Sequence, residues 1–423
     1  MHWITYLLLL LIAAFALLLL RRQGLLHSVG VWAISILLLA GALLLRLSVF
    51  DATNTDYDWF LSTWVQHYRD HGGFWGLAIP AWGENYNVPY LYFLALFSYI
   101  PLPALHLIKL LGAFFDIVLA FFVMQTVGLY VNSRTRKLVA FFAVLYLPTV
   151  FLNSAYWGQC ENIFVAFSVM SFYYAMRGRP VLSMAAIALS FAFKLQAIFL
   201  FPLYLIFLYG KKIRIRHFAV FPATYLLAIL PAVLLGRPFW DTLLIYVSSM
   251  NPATRGLNYN SPSLFALIQG WPHAPFTSLQ DTLSIPFLRT LGILLAFGLV
   301  LGVYVQVFRR RGAHISGEDY LLFALLFAVG VPFFLPQMHE RYFYMADIFA
   351  VILALSRLRY LVAIPLTQFA SLLGYHVFLR HFATPPLLLP LPFPMYVGTI
   401  ALAALLVFLF ASLSRSSKSH NGV

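Results

Sequence analysis

Two carboxylates stand close together in the segment TDYDWFLSTW (55–64), which follows the apolar stretch 29–47. The chain is 62% hydrophobic and only 9% charged, so acidic side chains at this position require an explanation. A carboxylate within hydrogen-bond reach of a hydroxyl can act as a general base and take its proton. Asp56 and Asp58 are two residues apart, a helical spacing that points side chains in different directions. We therefore expect one of these two candidate catalytic residues to enter a cavity.

Three further polar segments interrupt apolar stretches of the chain. They are NSAYWGQCEN (153–162), FKLQ (193–196) and PQMHERYF (336–343). The apolar stretches flanking FKLQ are about 14 residues long and reach about 21 Å as helices, against a hydrocarbon core of about 30 Å. Polar irregular backbone is tolerated at that depth only where it lines a cavity. We therefore expect these segments to share a polar pocket below the outer membrane surface.

The side chains of these segments, together with those of the first loop (48–104) and of the apolar stretch 105–131, indicate two kinds of binding chemistry. Ionisable residues inside a membrane are rare and are functional by default, and basic side chains hold anions, with arginine suited to bidentate phosphate contacts. The residues predicted to bind an anionic group such as the phosphate of a substrate are Lys194, Arg341, His339 and Lys109. Aromatic rings suit both the apolar faces of sugars and the membrane interface. The predicted substrate-binding residues are Tyr57, Tyr86, Trp157, Gln159, Glu161, Asp116, Gln196 and Glu340.

The composition is that of an integral membrane protein. The 423-residue chain has a mean hydropathy of +0.87, and apolar runs recur from end to end. Only helices or closed barrels satisfy backbone hydrogen bonds in lipid, and the alternating pattern of barrel strands is absent. We predict an all-α polytopic protein with one membrane domain over 1–423 and about 13 transmembrane helices. The predicted spans are 3–20, 29–47, 105–131, 138–152, 161–176, 181–193, 195–210, 217–235, 286–307, 319–336, 342–356, 360–376 and 395–413.

The basic residues predict which way the chain crosses the cell membrane. With these spans most of the 27 lysines and arginines fall on one face, which the positive-inside rule makes cytoplasmic. The amino terminus is then outside, and the tail 414–423 is cytoplasmic. The first loop (48–104) and a second loop (236–285) are extracytoplasmic, and 89–101 forms a juxtamembrane helix in the interface rather than a span. The net charge of +14 reflects this topology and not a nucleic-acid partner.

Several classes of site are excluded by the sequence. A single cysteine, Cys160, allows neither an internal disulfide framework nor a cysteine-based zinc site. No metal-ligand cluster stands out, and no phosphate-binding glycine motif is present. We predict no metal and no other cofactor. An activated group would then arrive as a lipid-linked substrate from the bilayer.

These motifs, in this order and on one face, resemble the GT-C superfamily of integral membrane glycosyltransferases. TDYDWFLSTW is similar to the acidic first-loop motif of dolichyl-phosphate-glucose-dependent glucosyltransferases. NYNVPYLYFLAL (85–96) resembles the juxtamembrane helix that follows it, and KLLGAFFDIVLA (109–120) the next span. NSAYWGQCEN is similar to the WGQ-x-D loop of bacterial and mannosyltransferase-type members, with Glu161 where many relatives carry Asp. MHERYF (338–343) resembles their late HE-containing loop, and the resemblance covers 29–376.

The resemblance implies a GT-C-like fold and a hexosyltransferase that uses a polyprenyl-phosphate-linked sugar on the extracytoplasmic face. It implies that Asp56 is the general base, while Asp58 orients the loop or binds the acceptor. The acceptor would be a hydroxyl of a glycan, a lipid or a protein, and transfer would invert the anomeric centre. The sugar, the acceptor and the linkage do not follow from the sequence.

Two other classes of membrane protein share parts of this pattern. A lipid-linked glycan flippase or transporter is also polytopic and basic, but it favours inverted repeats, which are not detected here. An O-antigen polymerase or ligase favours a large late loop rich in Arg and His, whereas 236–285 has only Arg237, Arg255 and His273. Transport of a labelled sugar without a new glycosidic bond would identify the first alternative.

Overall fold

The computed structural model of the chain describes residues 3–248, 256–268, 279–309, 315–381 and 393–420. Parts of the predicted outer loop 236–285 and of the predicted tail 414–423 lie outside these ranges. So do the loop residues Arg255 and His273.

Almost all of the described chain is helical. The α-helices, numbered α1 to α18 in chain order, are Trp3–Arg22, Val29–Leu47, Ser62–Asp70, Val88–Phe97, Ala104–Val127, Arg134–Tyr146, Pro148–Phe151, Glu161–Met176, Pro180–Phe193, Pro202–Tyr209, Val220–Leu234, Phe239–Leu243, Ile245–Ser248, Leu279–Arg309, Gly317–Phe334, Tyr344–Ser356, Ala363–His381 and Phe393–His420. Tyr57–Leu61 and Leu152–Trp157 form π-helices, and the 3₁₀-helices are Gly73–Ala78, Leu195–Leu200, Ile215–Ala219, Leu264–Leu267 and Leu358–Tyr360. The strands are β1 (Asn258–Tyr259) and β2 (Met338–His339). The predicted all-α class is confirmed.

Within the described residues, eight helices are long and apolar enough to cross a membrane. A ninth is possible if Arg134–Tyr146 and Pro148–Trp157, bent by 46°, form one broken span. The predicted spans 181–193, 195–210 and 342–356 correspond to shorter apolar helices, and 161–176 corresponds to the 16-residue α8. The total of 13 crossings and the sidedness of each loop therefore stay predictions.

The bend after α6 follows from the sequence. Pro148 disfavours the helical conformation at the residue before it, and Leu147 lies at φ −62° and ψ 123°. The chain then turns into the π-helix that ends at Trp157. Gly158 stops this π-helix at φ +77°, a left-handed conformation in which a Cβ atom would be strained. This break sets the orientation of the side chains in NSAYWGQCEN (153–162), which we call the WGQ segment.

The first compact unit comprises Met1–Ala197 and Arg214–Asn251. Its centre is α5, which packs against α1, α6 and α8, while α8 packs against α9. The segment 48–104 also forms part of this unit. There α3 packs against the neighbouring π-helix and 3₁₀-helix, and α4 covers both α3 and that 3₁₀-helix. The segment is thus an ordered structure that holds TDYDWFLSTW.

The second compact unit comprises Ile198–Ile213 and Pro252–Val423. Its core contains α15 and α16, which are buried along nearly their whole length. These helices pack against each other, α16 packs against α17, and α17 packs against α18. Strands β1 and β2 pair in parallel, with Asn258 opposite Met338 and Tyr259 opposite His339. This pairing joins the 256–268 segment to MHERYF (338–343), which we call the HE-containing segment.

Candidate functional site

The half-buried carboxylate of Asp56 is held by two side chains of the WGQ segment. Trp157 Nε1 donates to Asp56 Oδ2 at 2.9 Å, and Gln159 Nε2 donates to the same oxygen at 2.6 Å. Among the described contacts Oδ1 receives no hydrogen bond, so only one of the two carboxylate oxygens is fixed. The predicted neighbourhood of Asp56, Trp157 and Gln159 is therefore formed within the first unit.

Asn54 fixes the position of Asp56 along the chain. Its side-chain oxygen accepts hydrogen bonds from the backbone N–H groups of Asp56 at 3.1 Å and Tyr57 at 3.2 Å. Its amide nitrogen donates to the carbonyl oxygen of Trp157 at 2.8 Å. The same side chain thus shapes the acidic turn and ties it to the WGQ segment. Asn54 was not singled out from the sequence, although asparagine is a common residue for capping a turn.

Asp58 has a different environment. It is exposed, and its carboxylate has no hydrogen-bond partner in the described part of the chain. Between the two acids, Tyr57 is half-buried, and burial raises the pKa of its hydroxyl. The two-residue spacing predicts carboxylates that point in different directions, and the surroundings of Asp56 and Asp58 do differ.

Tyr86 orients the amide of Gln159. Its hydroxyl donates to Gln159 Oε1 at 2.9 Å, which leaves the amide nitrogen to face Asp56. The Tyr86 ring also lies beneath the Lys194 ammonium group, 5.2 Å from the ring centroid. This distance is within the range of a cation–π contact. Tyr86 therefore links the Asp56 contacts to a second polar group.

That second group is a buried ion pair between Lys194 and Glu161. The other carboxylate oxygen of Glu161 accepts a hydrogen bond from Asn153 Nδ2 at 3.1 Å. We call Asp56, Trp157, Gln159, Tyr86, Glu161 and Lys194 the Asp56 network. Because Glu161 already balances Lys194, an anionic ligand would meet a paired ammonium group and not an isolated positive charge.

Gln196 lies two residues beyond Lys194, at the start of the 3₁₀-helix Leu195–Leu200. Its side chain is about nine-tenths buried, and its Oε1 atom has no hydrogen-bond partner within the part of the chain that the structure describes. An amide oxygen left in this state carries a free-energy cost unless a ligand or water satisfies it. Its predicted substrate-binding role stays a prediction.

Lys109 has a different role from the predicted one. It is fully buried, and its ammonium group donates to the carbonyl oxygens of Val49 at 3.0 Å, Phe50 at 2.8 Å and Ala52 at 2.7 Å. A lysine has three N–H donors, and all of them are used here. Lys109 therefore fixes the chain just before Asp56 and has no donor left for a phosphate.

Asp116, predicted to bind substrate, is instead an interior residue. It is fully buried, and it accepts hydrogen bonds from Arg46 Nε at 3.0 Å and Arg46 Nη2 at 2.7 Å. Ser154 Oγ donates to it at 2.7 Å and Asn162 Nδ2 at 2.8 Å. These contacts hold both ends of the WGQ segment against α2 and α5. A lone arginine in the predicted span 29–47 was the available signal for this pair, because a charge at that depth needs a partner.

The HE-containing segment belongs to the second unit. Arg341 Nη1 donates to Glu340 Oε1 at 2.5 Å, and the His339 ring stacks on Tyr259 with centroids 4.8 Å apart. Burial raises the pKa of the Glu340 carboxyl, but the Arg341 guanidinium and the neighbouring His339 outweigh it, so the pKa lies below its ordinary value. Glu340 is therefore ionised, and Arg341 is its counter-ion.

A second ion pair holds the 48–104 segment. Arg237 pairs with Glu84, both with buried side chains. Glu84 also accepts hydrogen bonds from Tyr68 Oη and the backbone N–H of Ala81, each at 3.2 Å. Burial, followed by the Glu84 charge, raises the pKa of Tyr68. Several aromatic side chains of the same segment are exposed, namely Trp59, Trp75 and Trp82.

Among the described residues, no group of three or more His, Cys, Asp or Glu side chains is arranged to hold a metal ion. No protein-family model matches the chain, and no curated protein sequence matches it either.

Proposed function

We propose that the chain is a membrane glycosyltransferase that moves a sugar from a polyprenyl-phosphate-linked donor to an acceptor hydroxyl on the extracytoplasmic face. Asp56 is the general base of this proposal. The supporting observation is the fixed carboxylate of Asp56, which receives hydrogen bonds from Trp157 and Gln159 on one oxygen only. A base that is held in this way and is still half-exposed can meet a hydroxyl from a substrate.

The reaction needs one proton acceptor and one leaving group. The acceptor oxygen forms a bond to the anomeric carbon of the sugar, and its proton goes to Asp56. The bond between that carbon and the phosphate oxygen breaks, and the electron pair leaves with the polyprenyl phosphate. A single displacement of this kind inverts the anomeric centre.

The Asp56 network supplies two further groups for this step. Tyr86 places its ring beneath the Lys194 ammonium group, 5.2 Å from the ring centroid, and this cation–π contact holds Lys194 near Asp56. Lys194 is paired with Glu161, so its charge is held in place by a side chain and not by the donor. We propose that Lys194 attracts the donor phosphate while Glu161 prevents an uncompensated buried charge.

Purified protein in proteoliposomes, supplied with labelled polyprenyl-phosphate hexoses and a panel of glycan acceptors, tests the proposal. A glycosyltransferase forms a new glycosidic bond, which mass spectrometry of the product detects. Movement of label across the membrane without a new bond contradicts the proposal and supports the transport alternative.

A further inference from the structure

The second unit contains a cluster of buried polar atoms that the proposed reaction does not use. Four side chains of the 258–263 turn belong to it, together with Glu340 from the paired segment. The atoms are Asn258 Nδ2, Asn260 Oδ1, Ser261 Oγ, Ser263 Oγ and Glu340 Oε2. Each of these side chains is more than nine-tenths buried, and none of the five atoms has a hydrogen-bond partner among the described residues. Glu340 Oε2 has an ionisable neighbour, His339 Nδ1, at the longer distance of 3.8 Å. We call this group the Asn258–Ser263 cluster.

The backbone brings the two parts of the cluster together. Tyr259 pairs with His339 across the parallel strands, and Asn260 forms an isolated bridge to His339. A Cβ atom at Gly374 of α17 would lie 2.9 Å from the carbonyl oxygen of Asn260 and 3.2 Å from the Cβ atom of Glu340. Asn260 and Glu340 therefore both lie against α17 at Gly374.

Two residues beside the cluster have an uncommon backbone conformation. Asn260 has φ +58° and Gln337 has φ +61°, and both lie in the left-handed region. Residues in such conformations concentrate at binding and catalytic sites, where the surrounding contacts maintain them. Here Gln337 N donates to the carbonyl oxygen of Leu257 at 2.7 Å, which fixes the start of the pairing.

Leaving five polar atoms buried without partners is unfavourable for a fold. Each buried polar group without a hydrogen bond destabilises the folded state, and native proteins rarely keep several of them in one place. We propose that the Asn258–Ser263 cluster is a binding site for the hydroxyl groups of a sugar ring. This inference does not rest on the proposed transfer reaction, because a glycan transporter would need such a site as well.

The charges in and beside the cluster favour a neutral ligand over an anionic one. The unpartnered atoms include an amide donor, two hydroxyls and two acceptors, one of them the ionised carboxylate of Glu340. The adjacent cation, Arg341, already pairs with the other oxygen of Glu340. His339 Nδ1 lies 3.8 Å from Glu340 Oε2, so both neighbouring basic side chains face this carboxylate. A phosphate would be repelled by the Glu340 carboxylate and would meet another acceptor in Asn260 Oδ1. Sugar hydroxyls, which both donate and accept, match this mixture.

The accessible edge of the cluster is aromatic. The His339 side chain is 35% exposed and stacks on the half-buried ring of Tyr259. The apolar face of a sugar can pack on this exposed edge as its hydroxyls reach the polar atoms behind it.

Binding of neutral methyl glycosides tests the inference. The full chain, in nanodiscs free of glycosidic detergent, is titrated with the methyl α- and β-glycosides of mannose, glucose, galactose and N-acetylglucosamine. Saturation-transfer NMR measures binding, and glycerol 1-phosphate serves as the anionic probe. We expect at least one glycoside to bind and glycerol 1-phosphate not to bind. The Ser261→Ala/Ser263→Ala double variant should lose about tenfold in affinity, as expected for two lost hydrogen bonds.

The melting temperature of the variants distinguishes a ligand-binding site from a site that is filled by ordered water. Removing hydroxyls that have no protein partner should keep or raise the melting temperature of the double variant, because binding groups of this kind destabilise the fold that carries them. Asn260→Gly keeps the left-handed backbone and removes the amide, so it should also lose binding. Ser356→Ala is the matched control, since it removes a buried hydroxyl without a hydrogen-bond partner from α16.

Three results would overturn the inference. The first is that no glycoside binds the wild-type chain, and the second is that glycerol 1-phosphate binds better than every glycoside. The third is a lower melting temperature in the double variant with glycoside affinity unchanged, which indicates that ordered water alone occupies the cluster.

Discussion

The amide of Gln159 donates a 2.6 Å hydrogen bond to Asp56 Oδ2 across 103 residues of sequence. Its orientation is set from the other side, because the Tyr86 hydroxyl donates to the amide oxygen at 2.9 Å. A tyrosine of the 48–104 segment therefore determines which atom of Gln159 faces the proposed base. This relation links the two halves of the Asp56 network and leads to the first prediction.

Gln159→Leu removes the amide that holds Asp56. Tyr86→Phe keeps this amide and removes only the hydroxyl that orients the amide. A hydrogen bond to a charged group contributes about 1.5–3 kcal/mol, so Gln159→Leu should lower the turnover number by about 10- to 100-fold. Tyr86→Phe should have a smaller effect in the same direction. Turnover in proteoliposomes measures both. Tyr99→Phe is the control, because it removes a hydrogen-bonded hydroxyl from the same segment, and a loss equal to that of Tyr86→Phe would contradict the orienting role.

The ion pair between Lys194 and Glu161 should show strong coupling in a double-mutant cycle. Breaking a buried pair by removing one partner typically costs about 3–5 kcal/mol, because the other charge stays buried. We expect Lys194→Met and Glu161→Gln each to lower the melting temperature more than the double variant does. Arg359→Met provides the comparison, since Arg359 is exposed where it pairs with Glu318, and ion pairs of solvent-exposed side chains contribute little. Additive effects at Lys194 and Glu161 would show that the two side chains do not interact.

Asp116→Asn distinguishes an interior role from substrate binding. The change leaves the buried Arg46 without its counter-ion, so the yield of folded protein and its melting temperature should fall. The donor affinity of the molecules that fold should be unchanged, because Asp116 is fully buried. Arg46→Leu combined with Asp116→Leu should restore part of the stability. A large loss of donor affinity at an unchanged melting temperature would instead indicate that Asp116 binds the donor.

The second unit should lose stability in acid through Glu340. The pKa of this carboxyl is below its ordinary value of 4.5 in the folded chain. The ionised form therefore stabilises the fold fully above the ordinary value, and this contribution is lost as the pH falls through the lowered folded-state pKa. Glu340→Gln should show a smaller drop in melting temperature than the wild type between about pH 6 and pH 3. Asp58→Asn is the control, since it removes an exposed carboxylate. Equal acid sensitivity in Glu340→Gln and the wild type would contradict this account.

Much of the Asp56 network can be predicted from the sequence. Helix lengths placed FKLQ and the WGQ segment at similar depth, and Lys194 does pair with Glu161. The two-residue spacing also separated Asp56 from Asp58, whose environments differ in the structure. These inferences succeeded because they depend on local geometry and on the cost of polar groups in lipid.

The predictions that were wrong concern the groups with which buried charged side chains interact. Lys109 and Asp116 were correctly taken as unusual charges, but the sequence could not show that backbone carbonyls and Arg46 already satisfy them. The partner of Asp116 lies 70 residues away. Asn54 was missed for the same reason, since its contact with Trp157 spans 103 residues. Periodicity shows that a charge is buried but not which group it meets.

The central claim is that Asp56 takes the proton of the acceptor hydroxyl. The most direct measurement is the rate of glycosidic bond formation by Asp56→Asn in proteoliposomes, with donor binding measured separately. Asparagine keeps an oxygen that can accept the hydrogen bonds of Trp157 and Gln159 but cannot serve as a base. We predict a loss of about 10²–10⁴-fold in rate with donor affinity unchanged, and a milder effect for Asp58→Asn. A near wild-type rate in Asp56→Asn would contradict the account, and if Asp58→Asn were inactive at the same time, the roles of the two carboxylates would be reversed.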